Sequence, residues 1–272
     1  MGFNTAVALT AGTVAEPPPA LLADAELCLL AAYASATDDV WRNLGRQGSP
    51  LDARIVDPPT YLDIDDPGGP GFKKEVPIPT PAPPPGKPPF GLSQNRMFDI
   101  LGGSLAPAAD EPWTCTIAFT PLYVNPTSIR FLWKYSGDSL PQSPAGLVIE
   151  DVARFEPGPG STTSRSGFIA AIYNGRGLFR GGTTPNMIQQ TKQVATLRYA
   201  LPTTTTPNGE ISVWRNGAPL DEVPPLPIVG DGPWIDDTWI RIGAGQICHA
   251  VLWHARALAD TEIAEVSRLL LA

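Results

Sequence analysis

Thirty-two prolines and 26 glycines punctuate a chain of 272 residues, a frequency that rules out long helices over most of its length. Proline removes a backbone donor, and its ring clashes with the preceding helical turn. Short strands and loops remain. Apolar residues still make up 43% of the chain, with seven Trp, nine Phe and six Tyr, enough to build a core and to argue against global disorder. At this length one large β-sandwich with extensions is the economical organisation.

Alternation with a period of two identifies the strands. In the segment TCTIAF, Cys115, Ile117 and Phe119 alternate with Thr114, Thr116 and Ala118, as a strand with one buried face requires. IRFLWKYS repeats the pattern through Ile129, Phe131, Trp133 and Tyr135, and the two segments are expected to be neighbouring antiparallel strands. Six further segments, starting at Gly146, Gly167, Val194, Glu210, Thr238 and Ile247, are apolar and bounded by Gly, Pro, Asn or Asp. Asn174-Gly175 and Asn216-Gly217 follow strands directly, and this dipeptide tolerates the positive φ angles of a type I′ hairpin turn.

One helix is expected, over residues 260–272, with Asp260 as its cap and Ile263, Val266 and Leu270 on one face. At the other end, residues 1–26 read as an amino-terminal arm and residues 27–272 as the sandwich domain. The stretch from Asp57 to Pro89 holds twelve prolines; extended, solvated backbone suits it better than a ladder, so a proline-rich insertion is expected at about 57–90.

A formal charge of -8 offers no electrostatic footprint for nucleic acid or an anionic membrane. No basic region precedes an apolar stretch at the amino terminus, and the run Leu27–Ala34 is too short to span a bilayer; neither export by a cleavable signal nor a membrane partner is expected. The cysteines Cys28, Cys115 and Cys248 match no disulfide or metal spacing and read as buried thiols.

The carboxy-terminal order ISVWRNGAPL, WIRIGAG, ICHAVLWHARALADTEIAEVSRLL resembles the laminin-G-like, concanavalin-A-like jelly roll. In that family the last strand runs into an Arg-Ala-Leu turn and a helix opening with an acidic residue and Glu-Ile; Arg256, Ala257, Leu258, Asp260, Glu262 and Ile263 occupy those places. The segment VWRNLGRQGSPLDARI, with Trp41, Asn43, Gly45 and Gly48, is similar to the family's first strand region. The resemblance implies an all-β, antiparallel jelly-roll β-sandwich with one short C-terminal helix. It extends to laminin-G-like accessory proteins of tailed bacteriophages, implying a non-catalytic virion component: a minor tail protein, or alternatively a capsid decoration protein. Such a component is assembled in the host cytoplasm with other virion proteins, as an oligomer, and can meet host-surface polysaccharide.

A glycoside hydrolase requires two carboxylates flanking a cleft, whereas Glu150 and Asp151 fall on opposite strand faces and Asp63, Asp65 and Asp66 lie among prolines and glycines. His249 and His254 are five apart on one strand, facing opposite sides by parity. No catalytic residues are expected. Asp63, Asp65 and Asp66 offer hard oxygen ligands for Ca2+. For a carbohydrate-binding module, Trp214 beside a hairpin tip and Trp234 in a loop are the candidate stacking platforms for glycan rings.

Overall fold

The computed structural model describes residues 17–35, 39–56, 60–74, 96–100, 111–122, 129–135, 146–155, 164–173, 178–183, 191–201, 203–205, 210–219, 226–227 and 240–272. In chain order the first strands are β1 (Leu27–Leu30), β2 (Val40–Trp41), β3 (Ala53–Ile55), β4 (Thr60–Asp63), β5 (Gly71–Lys74), β6 (Arg96–Ile100), β7 (Trp113–Pro121), β8 (Ile129–Tyr135) and β9 (Gly146–Phe155). Then come β10 (Ser164–Tyr173), β11 (Leu178–Thr183), β12 (Gln193–Ala200), β13 (Glu210–Arg215), β14 (Ala218–Pro219), β15 (Leu226–Pro227), β16 (Ile240–Gly243) and β17 (Gln246–His254). A short helix α1 (Ala20–Ala23) precedes them and α2 (Asp260–Leu271) follows.

Among the described residues the strands form two antiparallel sheets. One runs β14-β13-β12-β7-β17-β5-β4, with β1 also on β17 and β15 on β13; the other runs β11-β10-β9-β8-β16-β6-β3-β2. This is the all-β, jelly-roll-like sandwich with a C-terminal helix that the sequence implies. The expectation that TCTIAF and IRFLWKYS are neighbours is corrected: β7 pairs with β12 and β17 in one sheet, and β8 pairs with β9 and β16 in the other. Alternation identifies a strand but carries no information about its partner.

The two sheets enclose the main core. From the first sheet come Leu29, Cys115, Ile117, Val251 and Trp253, and from the second Phe98, Ile100 and Ile242. Trp113 stacks on Trp253 at 4.9 Å between ring centroids, and Phe72 and Phe98 meet edge to face at 4.8 Å, geometries favoured by the ring quadrupoles. A second core lies on the outer side of the first sheet. Ile263, Val266 and Leu270 of α2 and Leu22 of α1 cover Cys28, Leu30, Val194 and Leu252 there, so the face expected for α2 is the one it buries.

Every residue of β7 is buried, although three of its outward side chains, Thr114, Thr116 and Thr120, are threonines. Each hydroxyl is satisfied. Thr114 donates to the Arg256 carbonyl and accepts from the Leu258 amide, both at 2.9 Å; Thr116 lies 3.0 Å from the Thr196 hydroxyl; Thr120 lies 2.8 Å from His249 Nε2. Burial of unpaired hydroxyls would be unfavourable.

Asn216 (φ 51°) and Gly217 (φ 81°) form the expected two-residue turn, with Arg215 opposite Ala218; Asn174-Gly175 lies outside the described residues, while β10 and β11 pair on either side of it. The helix cap is not Asp260. Glu262 reaches back to accept the Ala259 amide at 2.8 Å, and Asp260, already helical, accepts from Arg198 at 2.7 Å. Within the expected proline-rich insertion, Thr60–Asp63 and Gly71–Lys74 pair as a hairpin, with Leu62 opposite Phe72; residues 75–95 lie outside the described residues.

Candidate functional site

β17 shares one edge between two partners. β1 pairs with its later residues, Leu30 opposite Ala250 and Leu27 opposite Trp253, whereas β5 meets it at Cys248 opposite Phe72. At the junction the ladder to β7 slips by one residue between Cys248 and Ala250. Such a bulge inserts an extra residue and re-aims the side chains around it. His249 and Ala250, consecutive in sequence, therefore both line one cavity on the outer side of the sheet.

The bulge overturns the parity expectation. Cys248, Val251 and Trp253 face the inter-sheet core, Ala250 and Leu252 the helical layer, and His249 and His254 both lie on the outer side. Their sites remain separate: His254 Nε2 is 3.2 Å from the Leu21 carbonyl at the root of α1, whereas His249 meets Thr120 and Pro70.

The cavity has a volume of about 790 Å³, within the range of small-molecule sites. The turn after β4 supplies Asp66 and Gly68–Pro70, the residue before β12 is Lys192, and β17 supplies His249. The turn can lie against His249 because of its glycines. A Cβ on Gly71 would collide with Ile247 Cγ2 and stand 2.8 Å from His249 Nδ1, and one on Gly68 would stand 2.9 Å from Asp66 Oδ1. Gly69 adopts φ +92°, which glycine reaches without strain.

The hydrogen bonds select the tautomer of the neutral His249 ring. Its Nδ1 is 2.9 Å from the Pro70 carbonyl, which can only accept, so Nδ1 carries the proton and Nε2 accepts from the Thr120 hydroxyl at 2.8 Å. Burial pushes the imidazole below its ordinary pKa, and the Lys192 charge acts in the same direction. Burial likewise lowers the Lys192 ammonium, opposed by the Asp66 charge. Asp66 Oδ1 accepts the Gly68 amide at 2.8 Å and lies 3.9 Å from His249 Nε2. No ion pair joins Asp66 to Lys192 among the described residues.

The expected site residues are dispersed. Asp66 lines the cavity; Asp63 instead pairs with Lys73 at 3.6 Å and accepts the Asp65 amide, and Asp65 is exposed. Among the described residues no three His, Cys, Asp or Glu side chains are grouped to hold a metal ion. Trp214 is no open platform: it is 4% exposed, part of the core beneath α2, with the Arg198 guanidinium 5.2 Å from its ring centroid. Trp234 lies outside the described residues. Lys192 and His249 were missed as partners of Asp66 because their proximity depends on a bulge and two long-range pairings.

No family model matches the chain, and no curated protein matches it in sequence. Solved structures match in fold. The botulinum neurotoxin serotype D binding domain gives a TM-score of 0.57 at 9% identity over 92% of this chain and 51% of its own; the serotype D/C VPI 5993 binding domain gives 0.55 at 11% over 92% and 53%. Trypanosoma rangeli sialidase, in complex with 2,3-difluoro-KDN, gives 0.51 at 14% over 92% of this chain and 33% of its own. The chain thus spans about half the length of the neurotoxin domains and a third of the sialidase, and the likeness is one of fold.

Proposed function

We propose that this chain is a non-catalytic carbohydrate-binding β-sandwich whose site is the cavity at the β17 bulge. The observation that carries this reading is the pair Asp66 and Lys192, one acceptor and one donor, lining the same cavity without an ion pair between them. Adjacent sugar hydroxyls both donate and accept, so they complement such a pair, and Tyr33 adds an aromatic surface to the lining. A neighbour in fold gives indirect support: cell entry of botulinum neurotoxin type C is described as dependent upon interaction with two ganglioside molecules, in a structure matching at TM-score 0.55 and 9% identity.

Hydrolysis in this cavity has no such support, since Asp66 is the only carboxylate side chain among its described lining residues and glycosidases ordinarily use two. Binding of the full chain to a glycan array, lost in Asp66→Asn and Lys192→Gln, is the expected result. Unchanged binding by both variants would place any glycan elsewhere.

A second reading, assembly into a phage virion as a minor tail or capsid decoration protein, rests on the sequence resemblance. It is favoured by the fixed root of the amino-terminal arm, where Leu22 is buried and the Leu21 carbonyl is held by His254. Absence of the protein from purified particles would exclude it. The two readings are compatible, because a virion component can also meet host-surface polysaccharide.

A further inference from the structure

The cavity changes character along β17. Around His249 it is lined by Asp66, Lys192 and Gly68–Pro70; beside Ala250 its walls include Leu22 of α1, Leu30 of β1 and Leu269–Leu271 of α2. The register places the change at one residue. Leu30 lies opposite Ala250, one step past His249, so the polar end is continuous with the leucine wall. The wall is partly open to solvent: Leu271 is 37% exposed, while Leu270 is buried. A sugar ring at Asp66 and Lys192 leaves this apolar part of the 790 Å³ unfilled, and water there gains few hydrogen bonds from leucine side chains.

We infer that the ligand is an amphipathic glycoconjugate: a sugar head at Asp66 and Lys192, and an apolar chain or aglycone attached to it along Leu22, Leu30, Leu270 and Leu271. This rests on the carbohydrate reading above and specifies its ligand class. The leucine wall selects against free polysaccharide, which exposes hydroxyls along its whole length and would leave them unpaired there.

Calorimetric titration of the full chain with methyl and octyl β-glucosides and β-galactosides, below micelle-forming concentrations, tests it, with 1-octanol as the sugar-free probe. Each buried methylene raises affinity about fourfold, so burial of part of the chain makes the octyl glycosides tighter than the methyl glycosides by at least about thirtyfold. Leu271→Gln, on the half-exposed last turn of α2, is expected to shrink that ratio severalfold, and Asp66→Asn to weaken both series together. Equal affinity of methyl and octyl glycosides overturns this inference and leaves the carbohydrate reading standing. Octanol binding as tightly as the octyl glycosides overturns the carbohydrate reading, and the inference with it. No binding by any octyl glycoside also overturns the inference.

Discussion

The side-chain amide of Asn43 and the backbone amide of Cys28 are joined by a buried 2.7 Å hydrogen bond across fifteen residues. The same Asn43 Oδ1 accepts the Gly45 amide, and its Nδ2 donates to the carbonyls of Glu26 and Gly48. One side chain thereby ties the entry to β1 to the turn after β2. Gly45 packs so closely that a Cβ would collide with the Ala25 carbonyl, and Gly48 sits at φ +60°. Asn43→Asp keeps the acceptor and loses both donations, and is expected to lower stability by about 2–3 kcal/mol in urea titrations. Gly45→Ala is expected to be comparably damaging, because the obstacle is backbone.

Arg256 and Glu262 form a two-pronged pair with both distances 2.8 Å. That pair, with the Ala259 amide, pushes the Glu262 carboxyl down to about 2. A depressed carboxylate stabilises the fold above its unfolded pKa of about 4.3, and this contribution is lost as the pH falls toward the folded value. Glu262→Gln should therefore cost about 1 kcal/mol at pH 7 and much less near pH 2, as read from thermal midpoints.

Both histidines are expected to make the protein acid-sensitive at milder pH. Burial lowers His249, facing Lys192 and Asp66, and His254, facing Arg256, Asp24 and Glu262. The unfolded chain takes up protons first, so stability is full above about pH 6.5 and falls as the pH drops below it. The urea midpoint should be lower at pH 5.5 than at pH 7.5, and a double substitution, His249→Gln with His254→Gln, should flatten that difference.

Trp214→Ala is expected to cost about 3–5 kcal/mol, since the ring is buried between Arg198 and α2. A loss of glycan binding without a loss of stability would contradict its placement in the core.

Cys28, Cys115 and Cys248 are all buried and free. Burial pushes Cys28 up to about 12 and the other two higher still. Because the thiolate is the reactive form, a disulfide reagent such as Ellman's should label no native thiol at pH 8 and three in urea.

Much of the secondary structure was legible because it depends on neighbours in sequence. Period-two alternation marked β7 and β8, apolar runs bounded by Gly, Pro, Asn or Asp marked β9, β10, β12, β13, β16 and β17, the Asn216-Gly217 pair marked its turn, and the spacing of Ile263, Val266 and Leu270 marked the buried face of α2. These features follow from backbone geometry and side-chain shape alone.

Tertiary structure decided the rest. It chose which sheet β7 and β8 join, buried the threonines of β7 against partners remote in sequence, and drew Trp214 beneath α2. The candidate site depended on it most. One extra residue at Cys248–Ala250 reversed the parity of β17, turned His249 to the outer side, and left Asp66, 183 positions earlier, within 3.9 Å of it. A bulge forms only when a strand is matched against its partner, so its position is a property of β17 and β7 together, and β17 read by itself contains no sign of it.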